Sequence, residues 1–202
     1  MRAMLERRQA ELDAGAAPLG WKIGINVEAV QERLGITAPL VGYMTTDSLL
    51  EPGAEMDVSD WTNAVLEPEL AIRVGGDGEI AAFAPAIELV DIVLPFDDVE
   101  PILGCNIFHR AVCLGAERVG ASTDGLGCRV IVDGSEAAAG ELAEDPPDTV
   151  AHVAQLLTAH GAELAAGEWI IAGSITPPLP VPSGSEVEVE LSGLGSVGLP
   201  FS

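Results

Sequence analysis

Positive charge is scarce in this chain. Nine Lys and Arg stand against 32 Asp and Glu, a formal net charge of −23. A nucleic-acid partner would need a basic face, and an anionic membrane surface would need the same, so both are excluded as expected partners. No apolar run reaches the roughly 18 residues of a membrane span. The opening MRAMLERRQAELDAGAAPLGW lacks the apolar middle of a signal peptide, so a cytoplasmic protein is expected. Cysteine is sparse and odd in number: Cys105, Cys113 and Cys128, with no CxxC and only His109, His152 and His160 to join them. That spacing does not suit a zinc site and points to reduced, buried thiols. There is no G-x-S-x-G and no Walker loop, and the one G-x-G-x-x-G string, Gly193 to Gly198, lies between two segments that read as strands rather than at a strand-to-helix turn, so it is no dinucleotide fingerprint; this argues against the common serine-hydrolase, nucleotide and NAD chemistries.

What is present is a core and many acids. At 202 residues and 48% hydrophobic content, the chain can bury one substantial domain. The acid excess has two readings, solubility or cation binding. An anionic substrate would need a local positive charge, and a bound metal could supply it.

Periodicity gives a mixed α+β outline. Residues 2–14 read as a helix, with Met4, Leu5, Arg8 and Leu12 one turn apart. GWKIGI (20–25) reads as a strand, and NVEAVQERLG (26–35) as a helix capped by Asn26 and stopped by Gly35. AVLEPELAIRV (64–74) reads as a strand ended by the glycine cluster at 75–78, and AIELVDIVLP (86–95) as another ended by proline. Residues 97–115 suggest a helix followed by an irregular or helical stretch. CRVIVDG (128–134) reads as a strand with an Asp-Gly hairpin signal, 134–148 as a loop, and 148–161 as a helix capped by Asp148. EWIIAG, EVEVELSG and VGLPFS close the chain as strands.

LEPELAI, residues 66–72, is the odd stretch. Pro68 argues against a helix. In a strand, Glu67, Glu69 and Ala71 share one face, while Leu66, Leu70 and Ile72 take the other. The two carboxylates then lie about 7 Å apart at Cβ, close enough to converge on one ion. Glu88 repeats the oddity, sharing its face with Ala86, Val90 and Ile92. A carboxylate on an apolar face is costly unless protonated, paired or metal-bound. Three such acids with few basic partners suit an all-oxygen site for magnesium, manganese or calcium. The residues alone favour a solvated acidic face over a metal site, with buried ionic or protonated carboxylates as a third reading.

The order of motifs narrows this. GWKIG, VQERLG, GYMTTDSL, LEPELAI, AIELVD, GEWIIAGSITPP and LSGLGSVGLPFS together resemble the 2-hydroxypentadienoate hydratase and 4-oxalocrotonate decarboxylase branch of the fumarylacetoacetate hydrolase superfamily. The resemblance spans residues 20–202, the expected catalytic domain, with 1–19 a short N-terminal helical segment. It implies an α+β fold: a twisted mixed-β roll with a few flanking helices. It implies a Mg2+ or Mn2+ site on Glu67, Glu69 and Glu88, a catalytic lysine at Lys22 and a catalytic acid at Asp47. It places Ser174 and Thr176 near a substrate carboxylate, and Asn106 matches a further motif position and is expected to bind substrate. The implied reaction is lyase chemistry on small anionic 2-oxo or 2-hydroxydienoic acids, hydration or decarboxylation, with the metal stabilising an enolate. A homo-oligomer is implied, and a related partner subunit is conceivable.

The chain also departs from the pattern. LGCNIFHRAVCLG carries His109 and Arg110 where the family has small residues, and GELAEDPPD replaces a glycine-serine loop. His109 and Arg110 are candidates for contact with an anionic substrate or for an interface. Three alternatives stay open: a C–C hydrolase of the acylpyruvate or fumarylacetoacetate kind, an oxaloacetate decarboxylase, and a catalytically silent assembly subunit. No His precedes Lys22, which weighs against the hydrolase.

Overall fold

The computed structural model describes residues 1–202. Its strands are β1 (Pro18–Gly24), β2 (Leu40–Thr45), β3 (Leu49–Leu50), β4 (Ala64–Val74), β5 (Ile80–Asp91), β6 (His109–Leu114), β7 (Arg118–Val119), β8 (Gly127–Val132), β9 (Ser135–Glu141), β10 (Trp169–Ser174), β11 (Leu179–Pro180), β12 (Glu186–Leu191) and β13 (Gly195–Pro200). Four helices flank them: α1 (Arg2–Asp13), α2 (Glu28–Leu34), α3 (Val99–Gly104) and α4 (Pro146–Ala159). The larger sheet runs β2-β1-β10-β4-β5-β6-β3, with β11 beside β4 and β7 beside β5. It is mixed: β1 pairs with β10 and β3 with β6 in parallel, the rest antiparallel. The second sheet is β13-β12-β8-β9. Together they form a mixed-β half-barrel with four helices, in keeping with the α+β roll and flanking helices expected.

Strand alternation decides where the core lies. Leu66, Leu70 and Ile72 of β4 enter the main core, with Ile87 and Leu89 of β5, Val187 and Val189 of β12, and Met4 of α1. The opposite face of the same strands lines the concave side. At one end that side is apolar, with Ala71, Ala84, Ala86, Met44, Val112 and Ile171. At the other end it is apolar again, with Val65, Val90, Ile107 and Phe108. Glu67, Glu69, Glu88 and Lys22 form the layer between.

Pro68 explains a local irregularity that the site uses. A proline inside a sheet removes one ladder donor. The Pro68 carbonyl accepts from Ile175 N–H at 2.9 Å, so its missing donor faces the same side, toward β10. There the β4–β10 register slips between Ile171 and Ser174. Gly173 sits in this bulge with φ +101°, and an added Cβ would lie 2.7 Å from Asn26 Nδ2.

Several sequence expectations need correction. Residues 109–114 form strand β6 rather than helix or irregular chain, after a left-handed turn at Asn106, Ile107 and Phe108 (φ 53°, 52° and 64°). Such a turn costs L-residues about 1–2 kcal/mol each. It is held by the Asn106 amide, which accepts from Tyr43 N–H at 2.9 Å and donates to Tyr43 O at 2.8 Å. Asn106 thus completes a ladder at the free edge of β2 and ties it to the β6 side. Residues 135–141 form strand β9, not a loop, paired to β8. Helix α4 starts earlier than expected: Asp145 caps it and Pro146-Pro147 fill its first turn, where a missing N–H costs nothing. Asn26 is not the cap of α2, whose N-cap is Val27; the Asn26 amide reaches Glu144 at 2.7 Å instead.

Candidate metal centre

The antiparallel pairing of β4 and β5 puts Glu67 directly opposite Glu88, and Glu69 opposite Ala86. Lys22 arrives from β1 across β10. Glu69 and Glu88 are fully buried and Lys22 is 1% exposed; Glu67 sits at the rim of the layer, partly exposed. One carboxylate oxygen from each glutamate lies within 4.8 Å of the others.

The hydrogen bonds are unevenly shared. Lys22 Nζ lies 2.8 Å from Glu88 Oε1 and also donates to the Ile107 carbonyl at 3.3 Å. That carbonyl belongs to the left-handed turn, so the strained backbone aims it at the ammonium. His109 Nδ1 contacts the same Glu88 oxygen at 2.7 Å, while His109 Nε2 meets Ser48 Oγ at 2.9 Å. Glu69 Oε2 accepts from Gly173 N–H at 2.9 Å, the donor freed by the β10 bulge. Glu69 Oε1 and Glu88 Oε2 are buried with no partner at all. A buried carboxylate oxygen without a donor is costly, so each calls for a cation or a proton.

The electrostatics agree. Burial, the Glu88 charge and the Glu67 charge push the Glu69 carboxyl well above its usual range. Burial and the Glu88 charge push Glu67 up to about 7. Burial alone would raise Glu88, but Lys22 and His109 outweigh it and hold it at about 2. Burial would lower Lys22, but Glu88, Glu67 and Glu69 together raise it, so the ammonium stays charged. Too few cations are built in for three carboxylates. A divalent ion of the hard, oxygen-preferring kind fits this donor set: three carboxylates with two oxygens already bare.

The remaining sequence candidates fall into three groups. Ser174 lies opposite Glu69 in the β4–β10 register, and its hydroxyl donates to Thr176 O at 2.8 Å. Thr176 is buried and donates to Pro177 O at 3.1 Å. Ser174 therefore stands beside the glutamate layer, with Thr176 two residues further on. Asp47 is exposed on a short turn and makes no ion pair with the layer. It lines a cavity of about 330 Å³ shared with Ser48, His109, Arg110, Arg7 and Tyr43. Arg110 stacks over Trp61 at 4.9 Å and lies 3.8 Å from Asp91. The Asn106 amide is spent on the Tyr43 backbone, as above, so its place is in the scaffold of the turn. Sequence reasoning missed Ser48 altogether, and it missed that His109 turns inward to Glu88. A lone serine in a turn and a lone histidine at a strand start carry no periodic signal.

Three inward glutamates and a buried lysine, layered between apolar ends of a mixed half-barrel, form an acidic cluster whose donor set could hold a divalent cation. Comparison with known proteins then places the chain. Residues 21–201 match the family described as fumarylacetoacetate (FAA) hydrolase C-terminal, and the chain belongs to that family. Among curated proteins it is 26% identical to a 4-oxalocrotonate decarboxylase of a Pseudomonas species, over 92% of this chain and 79% of the relative. It is 25% identical to 2-keto-4-pentenoate hydratase 1 of Dechloromonas aromatica, over 96% of this chain and 81% of the relative. The fold matches 4-oxalocrotonate decarboxylase from Pseudomonas putida G7, complexed with magnesium and adipate, with a TM-score of 0.89 at 22% identity, over 98% of this chain and 83% of that one. No helix of the structure is long and apolar enough to cross a membrane.

Proposed function

We propose that this chain is a divalent-metal-dependent lyase acting on small anionic 2-oxo or 2-hydroxydienoic acids, of the hydratase or decarboxylase kind. The observation that carries the reading is the pair of bare, buried oxygens, Glu69 Oε1 and Glu88 Oε2, inside a three-glutamate cluster beside a charged, buried lysine. The names of the relatives, decarboxylases and hydratases alike, support the reaction class. Glu67, Glu69 and Glu88 would hold Mg2+ or Mn2+, and the ion when bound supplies Lewis acidity toward a 2-oxo acid.

The chain's own groups do the rest. Lys22 is fixed by Glu88 and the Ile107 carbonyl, which leaves one N–H of its ammonium for an oxygen gaining negative charge. Because its pKa is raised, Lys22 acts as donor and fixed charge near neutral pH, not as a free amine base. Ser174, opposite Glu69, and Thr176 would serve a substrate carboxylate, and a switch of the Ser174 hydroxyl from Thr176 O would free one donor for it. Asp47 stands on the cavity side, suited to orienting water or carrying a second proton. The apolar layers above and below exclude water from the reacting atoms, which strengthens every charge interaction there. The same reading carries a cytoplasmic homo-oligomer, which the family resemblance implies.

The test is turnover. With Mg2+ or Mn2+, the protein is expected to consume the conjugated dienol of 2-hydroxypenta-2,4-dienoate, or to release CO2 from 4-oxalocrotonate, and Glu69→Gln is expected to abolish it. Failure of the metal-loaded wild type on both compounds would sink the lyase assignment.

A further inference from the structure

His109 is the feature the proposed function does not absorb. It stands at the first residue of β6, where the β5–β6 register slips between Leu89 and Val90. The slip follows the left-handed turn and swings the imidazole inward, so that its side chain is only 4% exposed. Both ring nitrogens are occupied. Nδ1 meets Glu88 Oε1 at 2.7 Å and Nε2 meets Ser48 Oγ at 2.9 Å. A carboxylate oxygen can only accept, so Nδ1 carries the hydrogen in that bond. The Ser48 hydroxyl, whose one hydrogen goes either to Nε2 or to the Thr45 carbonyl 3.1 Å away, stays hydrogen-bonded to that end of the ring when it donates to Nε2 and when it accepts from it. The ring is therefore pinned at its far end and cannot turn away from Glu88.

This arrangement divides the Glu88 carboxylate into two unlike oxygens. Oε1 receives two charged or strongly polar donors, Lys22 Nζ and His109 Nδ1, while Oε2 receives none. We infer that His109, braced by Ser48, is a positioning residue for the metal centre: it locks Glu88 so that Oε2 faces the cation site. The inference rests on the metal reading above. Without His109, Oε1 keeps a single partner, and the carboxylate can rotate about its last bond and present either oxygen. Partners that orient a ligating group in this way typically change metal affinity by 10–100-fold when removed. Nothing else in the structure supplies the lost donor, since Lys22 is already on that oxygen.

The experiment is calorimetric titration of chelator-stripped protein with Mn2+, wild type against His109→Phe, His109→Asn and Ser48→Ala, with the unfolding midpoint of each variant recorded. His109→Phe fills the space but has no donor, and its Kd is expected to rise about 10–100-fold. His109→Asn carries an amide N–H close to where Nδ1 lies, and is expected to return the Kd near wild type. Ser48→Ala removes only the brace and should fall between. Rescue by Asn separates a hydrogen-bond role from mere packing. Should His109→Phe not fold, His109→Gln serves: it keeps volume and a polar group toward Ser48 but lacks the Nδ1 donor, and the same weakening is expected. Wild-type affinity in folded His109→Phe overturns the inference, as does equal loss in the Phe and Asn variants. A wild type that binds no Mn2+ at all defeats the metal reading itself, and with it the role assigned here.

Discussion

Lowering the pH from 8 to 6 should strip metal affinity from this protein in a defined way. Glu67, pushed up to about 7 by burial and the Glu88 charge, holds a proton that a cation must displace. For one such proton the apparent Kd scales as one plus the ratio of proton concentration to the acid constant. The expected penalty is about 11-fold at pH 6, about 2-fold at pH 7 and negligible at pH 8. The sign follows from competition: protons and cations want the same oxygens, so affinity rises with pH, and the Glu67 share of that rise levels off above 7. Glu69 is raised well above its usual range too, so its proton adds to the slope rather than opposing it. Glu88, held at about 2, contributes nothing in this window. The assay is calorimetric titration with Mn2+ in buffers of different ionisation enthalpy, which counts protons released. About half a proton per ion is expected at pH 7 from the Glu67 group alone, rising toward acid pH, and any proton from Glu69 adds to it. Equal Kd at pH 6 and pH 8, with no buffer dependence of the heat, would refute the proposed sharing of protons among these carboxylates.

Three further predictions concern the scaffold. Lys22→Met removes the ammonium from a fully buried Glu88, and should destabilise the metal-free protein by about 3–5 kcal/mol in urea unfolding while abolishing turnover; wild-type stability would contradict the ion-pair account. Gly173→Ala forces an L-residue to φ +101° and a Cβ to 2.7 Å from Asn26 Nδ2. It is expected to cost about 1–3 kcal/mol and to weaken metal binding by shifting the N–H that serves Glu69, read by thermal unfolding and calorimetry. Asn106→Ala leaves the Tyr43 N–H and C=O without partners at the β2 edge, a loss of about 2–3 kcal/mol by denaturant unfolding, with faster hydrogen exchange at Tyr43; unchanged exchange there would show that the amide is not the clamp.

Legibility varied with the range of the forces involved. Strand β4 spans the residues expected, Ala64–Val74, because alternation, Asn63 and the glycine cluster all act locally. The glutamates stood out for the same reason: acids on a face otherwise built for a core are conspicuous. Lys22 could be picked only through the family resemblance, since a lysine beside Trp21 reads as well exposed as buried. Strand β9 was hidden because SEAAAGE has small, polar residues and gains its strand form from pairing with β8. The turn at 106–108 was hidden because left-handed backbone in Asn-Ile-Phe is unfavourable locally and persists through Tyr43, which is 63 residues away. His109 follows from that turn, so its inward aim was equally invisible. Helix α4 was found but started late, because two prolines read as a loop when they also suit a helix's first turn.

The central claim is that Glu67, Glu69 and Glu88 form one divalent-cation site serving enolate chemistry. It is tested most directly by titrating chelator-stripped wild type and Glu69→Gln with Mg2+, with and without oxalate, a planar mimic of a 2-oxo acid enolate. The account predicts one ion per wild-type chain, tighter binding when oxalate is present, and no binding by the variant. A wild type that takes up no ion below millimolar concentration, or that ignores oxalate, would contradict it.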